Sequence, residues 1–516
     1  MSTPEEADLL LRFLTEGYVV VQPRDVDPGL HEQLWTRADE LYGRVRDATF
    51  PLPHLEVLGD NLAAQIPELE QILGDGAVSG AIETLLGPDA YLHPHNFVHE
   101  STPADQPFHQ DGNLPWNERG HYRSHRPDWV ILFYYPQAVT LDNGPTEIVP
   151  FSQYWTTDIE KPDGGWRRGD PVDHTLSRDV LQGEDLEARD AALAASLGKL
   201  GVPDLERRFV QVPAGSVVIG NYDLIHRGSR TLPASAARYM FKFYYARTRA
   251  PQAASCTEPA LADLRADLHS VVQSIHAWSR GQRRRVDLTS EHIERLARDL
   301  ASNCESSRVA AAYELGAARD ADSLARLLEG LNSPAEATRR AAAYGLRERA
   351  DEAAAPLQRA LVEGSPSVRR FAAFALGSSW SGGADALIER LSAEDDDLAR
   401  SNVAYALGQI GRDAAAPVEP MATALIARLE AGAEPDNTNV AGLPRSTVRQ
   451  SVAYALLQLA TNHALPDSAL ARLAELGGTD PDRYVASMLT EAVARRSTEG
   501  ALIRSLNARR WHCAPR

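Results

Sequence analysis

The chain has 516 residues, is 43% hydrophobic, and sets 53 basic residues against 71 acidic ones for a formal net charge of −18. That length exceeds one core and implies two or three domains, while the apolar share excludes wholesale disorder. The acidic balance excludes a phosphate-binding surface and hence a nucleic-acid partner; no run of 18 apolar residues offers a membrane span; and the acidic start, Met1 to Asp8, lacks the layout of a secretory signal, so a cytoplasmic location is expected.

In chain order, helical spacing over 4–16 is followed by a strand pattern, Tyr18-Val-Val-Val-Gln22, and by further helical patterns at 28–46 and 77–87. A strand is expected over Tyr91 to Val98, with His93, His95 and His99 alternating on one face as structural or substrate-pocket residues. Next comes His109-Gln110-Asp111, then the aromatic strand Trp129-Val-Ile-Leu-Phe-Tyr-Tyr135. Asp142-Asn-Gly-Pro-Thr-Glu-Ile-Val-Pro-Phe-Ser-Gln153 reads as a turn feeding a short strand. Residues 154–206 interrupt the series with a polar, partly helical insert, a lid or a surface excursion. Ser216-Val-Val-Ile-Gly220 leads to His226 at a strand end, and Arg238 opens Tyr239-Met-Phe-Lys-Phe-Tyr-Tyr245. Residues 1–250 therefore form a β-rich α+β domain.

On a strand, residues i and i+2 point to one side, so His109 and Asp111 can reach a common metal. Two histidines and a carboxylate leave three positions open, which suits iron that must hold a bidentate keto acid and oxygen. Cys256, Cys304 and Cys513 form no CxxC pair, so neither a disulfide framework nor a thiolate zinc site is expected. The spellings His54-Leu-Glu56 and His292-Ile-Glu294 have the same shape, so the motif draws its weight from context. That context, from Leu9-Leu-Leu-Arg-Phe-Leu-Thr-Glu-Gly-Tyr18 to about Arg249, resembles the phytanoyl-CoA dioxygenase family.

The resemblance implies a double-stranded β-helix (jelly roll) using Fe(II), 2-oxoglutarate and O2. It implies His109, Asp111 and His226 as metal ligands and catalytic centre, and Arg238 as the partner of the distal carboxylate of 2-oxoglutarate. Phe133 is implied as an aromatic packed on the cosubstrate and Thr146 as a further contact. The family usually reads Pro-Gly-Ser-His where this chain has Pro150-Phe-Ser-Gln153. Related halogenases replace the carboxylate by a small residue, so Asp111 favours hydroxylation, of a small metabolite by analogy. Trp116, His121, Tyr122, Trp129 and Trp155 are candidate substrate-facing or core residues.

Beyond 258 the texture turns to Ala, Leu, Arg and Glu at helical spacing. Arg308-Val-Ala-Ala-Ala-Tyr-Glu-Leu315 recurs as Arg340-Ala-Ala-Ala-Tyr-Gly-Leu346, Arg370-Phe-Ala-Ala-Phe-Ala-Leu376, Ser401-Asn-Val-Ala-Tyr-Ala-Leu407 and Gln450-Ser-Val-Ala-Tyr-Ala-Leu456, and more loosely near Leu489. A period near thirty, broken by one insertion (Glu430 to Pro444), predicts an all-α stacked solenoid. These segments resemble the short HEAT-like repeats first associated with bilin lyases, over 305–495, with 251–304 a helical linker and 496–516 a tail. The recurring Tyr313, Tyr344, Phe374, Tyr405 and Tyr454 are expected to form an inter-repeat core ladder. The repeats would bind a protein partner, self-associate, or dock a carrier- or peptide-bound substrate; a pure scaffold with a degenerate oxygenase is the alternative.

Overall fold

The computed structural model describes residues 4–46, 62, 66–111, 124–161, 166, 172, 176–252, 259, 261–262, 264–379, 382–431 and 447–495. His54, Trp116, His121, Tyr122, Cys256, Cys513, most of the Glu430–Pro444 insertion and the 496–516 tail lie outside them. Among the described residues no helix is long and apolar enough to cross a membrane.

The β-branched and aromatic runs of the N-terminal half form two antiparallel sheets. The larger has the order β1 (Tyr18–Val21), β7 (Val217–Asn221), β4 (Trp129–Tyr134), β9 (Tyr239–Ala246), β2 (Tyr91–Leu92), with β3 (Phe97–Glu100) also paired to β9. The smaller is β6 (Arg208–Val210), β5 (Thr146–Ile148), β8 (His226–Gly228). Every residue of β4, β7 and β9 is buried, as expected of strands covered on both faces. One cover is the helix Pro28–Arg46, whose Trp35 and Tyr42 rings each lie 5.6 Å from that of Tyr239. This is the jelly-roll arrangement, and the β7–β8 turn carries the chain from one sheet to the other.

The single strand expected over Tyr91 to Val98 is two strands separated by a turn. Pro94 has no N–H to give to a ladder, the Asn96 N–H bonds back to the Pro94 carbonyl, and the His95 N–H bonds to His93 Nδ1. Across the turn the His93 N–H still bonds the Tyr244 carbonyl, His95 stacks on the Tyr244 ring, and His99 pairs with Met240 in β9. Phe151 takes φ 66°, the left-handed conformation that favours glycine, where the resembling family has Gly. The neighbouring Ser152 Oγ accepts a bond from the Ile225 N–H at 2.8 Å, fixing the residue before His226.

The C-terminal half is a double row of helices. The inner row is Glu305–Ala317, Glu336–Glu348, Pro366–Leu376, Asp397–Ile410, Thr447–Asn462 and Arg483–Ala494; the outer row includes Ala321–Leu331, Ala354–Glu363, Ala384–Ala393, Val418–Glu430 and Asp467–Thr479. A further helix, Ser290–Leu300, packs on Glu305–Ala317, so the paired helices begin within the stretch expected to be linker. Outer helices are amphipathic: Ala354–Glu363 buries only Leu357 and Leu361. Inner helices are buried nearly all round, Arg339, Arg340, Arg347 and Glu348 included. Their second cover is the N-terminal half. Arg126 pairs with Glu348 at 2.8 Å, Asp128 with Arg412 at 2.7 Å, and Asp158 with Arg340 at 2.8 Å. The recurring aromatics stack partly on one another (Tyr313 to Tyr344, 6.2 Å) and partly on that half: the His125 ring lies 3.9 Å from Tyr344, and Trp129 lies 5.3 Å from Tyr454.

Candidate metal centre

The centre forms where the two sheets exchange chain. His226 opens β8, and His109 lies opposite it on an isolated antiparallel bridge, each backbone N–H bonding the other's carbonyl at 3.0 and 2.9 Å. The segment is extended, bridges β8 at His109, and bonds it again from the Gln106 N–H to the Gly228 carbonyl at 2.8 Å. Extension is still enough to send His109 and Asp111 to one side and Gln110 to the other. Gln110 Nε2 donates to the Asp223 carbonyl at 2.7 Å and the Trp155 carbonyl at 3.0 Å, clamping the turn that delivers His226.

One ligand-type atom from each of His109, Asp111 and His226 lies within 4.8 Å of the others. Both imidazoles have Nδ1 against a carbonyl, Leu224 at 2.9 Å for His226 and Pro107 at 3.1 Å for His109. A carbonyl only accepts, so each Nδ1 carries the proton and each Nε2 presents a lone pair. Those Nε2 atoms face one oxygen, Asp111 Oδ1, at 4.0 Å from His226 and 3.7 Å from His109. The other oxygen, Oδ2, is taken by Lys242 Nζ at 2.7 Å and the Tyr244 hydroxyl at 2.9 Å. Burial raises the Asp111 carboxyl, but the Lys242 ammonium and the two histidines outweigh it and hold it well below the usual carboxylate range. Burial, with His109 alongside, pushes the His226 imidazole down to about 3, so it is neutral and able to ligate.

Phe133 is paired with Lys242 across β4 and β9, and its ring lies 5.6 Å from that of His226. Arg238 stands just before β9 with its guanidinium 5.6 Å over the Tyr135 ring. It is 3% exposed, yet its Nε and Nη1 meet no hydrogen-bond acceptor and no carboxylate pairs with it among the described residues. Tyr135 bonds the Thr146 hydroxyl at 2.7 Å, and Thr146 lies two residues along β5 from Ile148, the pairing partner of His226. The structure thus gathers the triad and Phe133 at one place and joins Arg238 to Thr146 through Tyr135.

Lys242, Tyr244, Gln110 and Tyr135 were not anticipated. A signal existed for Lys242: it is one of three lysines in the chain and the one charged residue inside an aromatic strand. The donor set, one carboxylate oxygen and two neutral imidazole nitrogens, fits a divalent first-row metal with positions left open, and an unanswered buried guanidinium fits an anionic ligand beside it.

A family model for HEAT repeats matches residues 293–377. No curated protein matches the chain. Among solved structures, the chain is similar to the epimerase SnoN in complex with Fe3+, alpha ketoglutarate and nogalamycin RO, at 13% identity over 48% of this chain and 85% of that one, with a TM-score of 0.33. It is similar to the non-heme alpha ketoglutarate dependent carbocyclase SnoK from nogalamycin biosynthesis, at 17% identity over 48% and 85%, TM-score 0.31. It is also similar to HygX from Streptomyces hygroscopicus with nickel and 2-oxoglutarate bound, at 17% identity over 48% and 88%, TM-score 0.30.

Proposed function

We propose that the N-terminal half is a non-haem iron(II)- and 2-oxoglutarate-dependent oxygenase of phytanoyl-CoA dioxygenase type that hydroxylates a small molecule. The observation that carries the reading is the pairing of a convergent His109–Asp111–His226 set with the buried, unanswered guanidinium of Arg238. In this reading His109, Asp111 and His226 hold the iron, and Arg238 receives the far carboxylate of 2-oxoglutarate. When bound, iron, cosubstrate and O2 supply the oxidation of a substrate C–H bond.

The chain's own residues prepare that chemistry. The Nδ1 anchors fix both imidazole tautomers, so no proton has to leave before a metal binds. Lys242 and Tyr244 occupy Asp111 Oδ2 and keep the carboxylate to one ligating oxygen, which preserves open positions. Phe133 walls the centre against water, and Tyr135 with Thr146 steadies the ground on which Arg238 rests. With their inner row covered by this half, the HEAT-like repeats first of all brace the oxygenase; an outside partner or a second copy would meet the outer row.

The test is anaerobic addition of Fe(II) and 2-oxoglutarate to the protein, watching for the weak visible charge-transfer band of the chelate. Wild type is expected to show it, Asp111→Ala to lose it, and Arg238→Ala to need far more cosubstrate. A folded, metal-loaded wild type without the band would overturn the reading.

A further inference from the structure

The last repeat reaches the metal-binding carboxylate through an unbroken chain of contacts. The Tyr484 hydroxyl, on the helix Arg483–Ala494, bonds His95 Nδ1 at 2.7 Å, and Tyr484 also packs on the His93 ring at 4.7 Å. One turn along, Ser487 Oγ bonds the Tyr91 hydroxyl at 2.8 Å. The first bond lands on the turn between β2 and β3, where Pro94 breaks the strand, and the second on Tyr91 at the start of β2. The His95 ring stacks on Tyr244, with centroids 5.5 Å apart and planes 16° from parallel. Tyr244 is held from another side by the edge of Tyr222 at 5.6 Å, and its hydroxyl donates to Asp111 Oδ2. Tyr91, His93, His95, Tyr244 and Tyr484 are all buried, so no solvent layer softens the linkage.

We propose that Tyr484 is a positioning residue for the metal centre: the sixth inner helix of the solenoid, acting through His95 and Tyr244, sets the orientation of Asp111. The proposal rests on reading His109, Asp111 and His226 as metal ligands. It gives the fusion a reason, since a repeat array that orients a ligand cannot be exchanged for an unattached partner. It also separates two kinds of inter-half contact. Tyr313 makes a bond of the same type, hydroxyl to His125 Nδ1 at 3.0 Å, but the rings around His125 are Tyr313, Tyr344 and Tyr154, none of which bonds Asp111.

The experiment titrates the full-length protein with Co(II) alone and reads the visible d–d spectrum and the affinity, with no turnover required. Groups that touch a ligand directly are worth 10–100-fold in metal affinity; two contacts further out, Tyr484→Phe is expected to weaken Co(II) binding roughly three- to tenfold and to alter the band shape. His95→Leu, which removes the stacked ring itself, should weaken it at least as much. Tyr313→Phe, matched in chemistry and burial, should lower the melting temperature while binding Co(II) as wild type does. Wild-type affinity in both Tyr484→Phe and His95→Leu would overturn the proposal, and so would an equal loss in Tyr313→Phe, which would reduce the effect to general loosening. A wild type that binds no Co(II) would instead sink the underlying metal-site reading, and the two failures are told apart by that one control.

Discussion

Asp111 presents one oxygen to the two imidazoles and has the other committed, and Lys242 decides what that arrangement costs. With no metal the carboxylate is buried, and Lys242 Nζ at 2.7 Å is its full positive neighbour among the described residues. Removing one partner of a buried pair costs roughly 3–5 kcal/mol, because the other charge is left uncompensated. Lys242→Met should therefore destabilise the metal-free protein by about 3 kcal/mol, eased somewhat by the Tyr244 hydroxyl. A bound dication puts new positive charge on the same carboxylate, so most of the loss should vanish in saturating Co(II). Denaturant unfolding of both proteins with and without metal checks this; an equal loss in both conditions would mean that Lys242 does not serve the carboxylate charge. At this scale the sequence was informative where chemistry imposes spacing. That His109 and Asp111 point to one place could be read because i and i+2 on extended chain share a side; His226 entered only through the family resemblance. Lys242 and Tyr244 could not be read, because only the pairing of β9 beneath the HxD segment brings them to Oδ2.

The inner helices of the solenoid stack at distances only small residues allow. A Cβ on Gly345 would lie 2.5 Å from the Ala312 carbonyl oxygen and from a Leu327 methyl, and one on Gly316 would lie 2.7 Å from the Gly345 carbonyl. The contacts with the Ala312 and Gly345 carbonyls are backbone clashes between successive inner helices, which no side-chain movement relieves. Gly345→Ala would gain about 1 kcal/mol of helix propensity in isolation, yet overpacking of 1–3 kcal/mol or more should dominate. The expected result is a lower midpoint in denaturant; a rise would show that the helices can slide apart without penalty. The repeat was legible because its first five copies carry the same Ala-rich, aromatic–X–Leu segment. Even its arginine has a structural meaning: Arg340 reaches back to Glu305 at 3.1 Å and Arg370 to Glu336 at 2.6 Å, each bracing one inner helix on the previous one. What the pattern did not disclose is that the inner row has two neighbours. An aromatic facing the next repeat and one facing another part of the chain look alike in sequence, and Tyr344, packed on both Phe374 and His125, does both. The strand expected over Tyr91 to Val98 is interrupted for a local reason: Pro94 in its middle has no N–H to give to a ladder, which the alternation of its neighbours does not reveal.

Across the whole molecule, the two halves share buried charges that neither could keep alone. Asp128 depends on Arg412 and Arg126 on Glu348, and all four are under 10% exposed. A truncation that removes the repeats would leave Arg126, Asp128, Trp129 and Tyr91 facing water on a surface built to be covered, so the N-terminal half alone is expected to be poorly soluble. The intact chain should unfold in one calorimetric transition, and two well-separated transitions would contradict that coupling. Acid offers a finer probe, because His125 is sealed between the halves. Burial, with Arg347 and Arg340 nearby, holds its imidazole well below the ordinary histidine value. Above about pH 6.5 the ring is neutral in both folded and unfolded chains and contributes no pH dependence. Below that, the unfolded chain takes up a proton that the folded one refuses, so stability falls as the pH falls, by up to about 1.4 kcal/mol per unit. The carboxyls of Asp128 and Glu348 lie below their usual range, so their ion pairs fail only further down, beneath about pH 4.5. The window between about pH 6.5 and 5.5 therefore isolates histidines. His125→Asn, chosen because the residue sits at φ 62°, should be less stable than wild type at neutrality, with the difference narrowing by about 1 kcal/mol across that window. Parallel pH dependences for the two proteins would show that His125 takes up a proton without disturbing the junction, and the two halves would then be less tightly sealed than these contacts require.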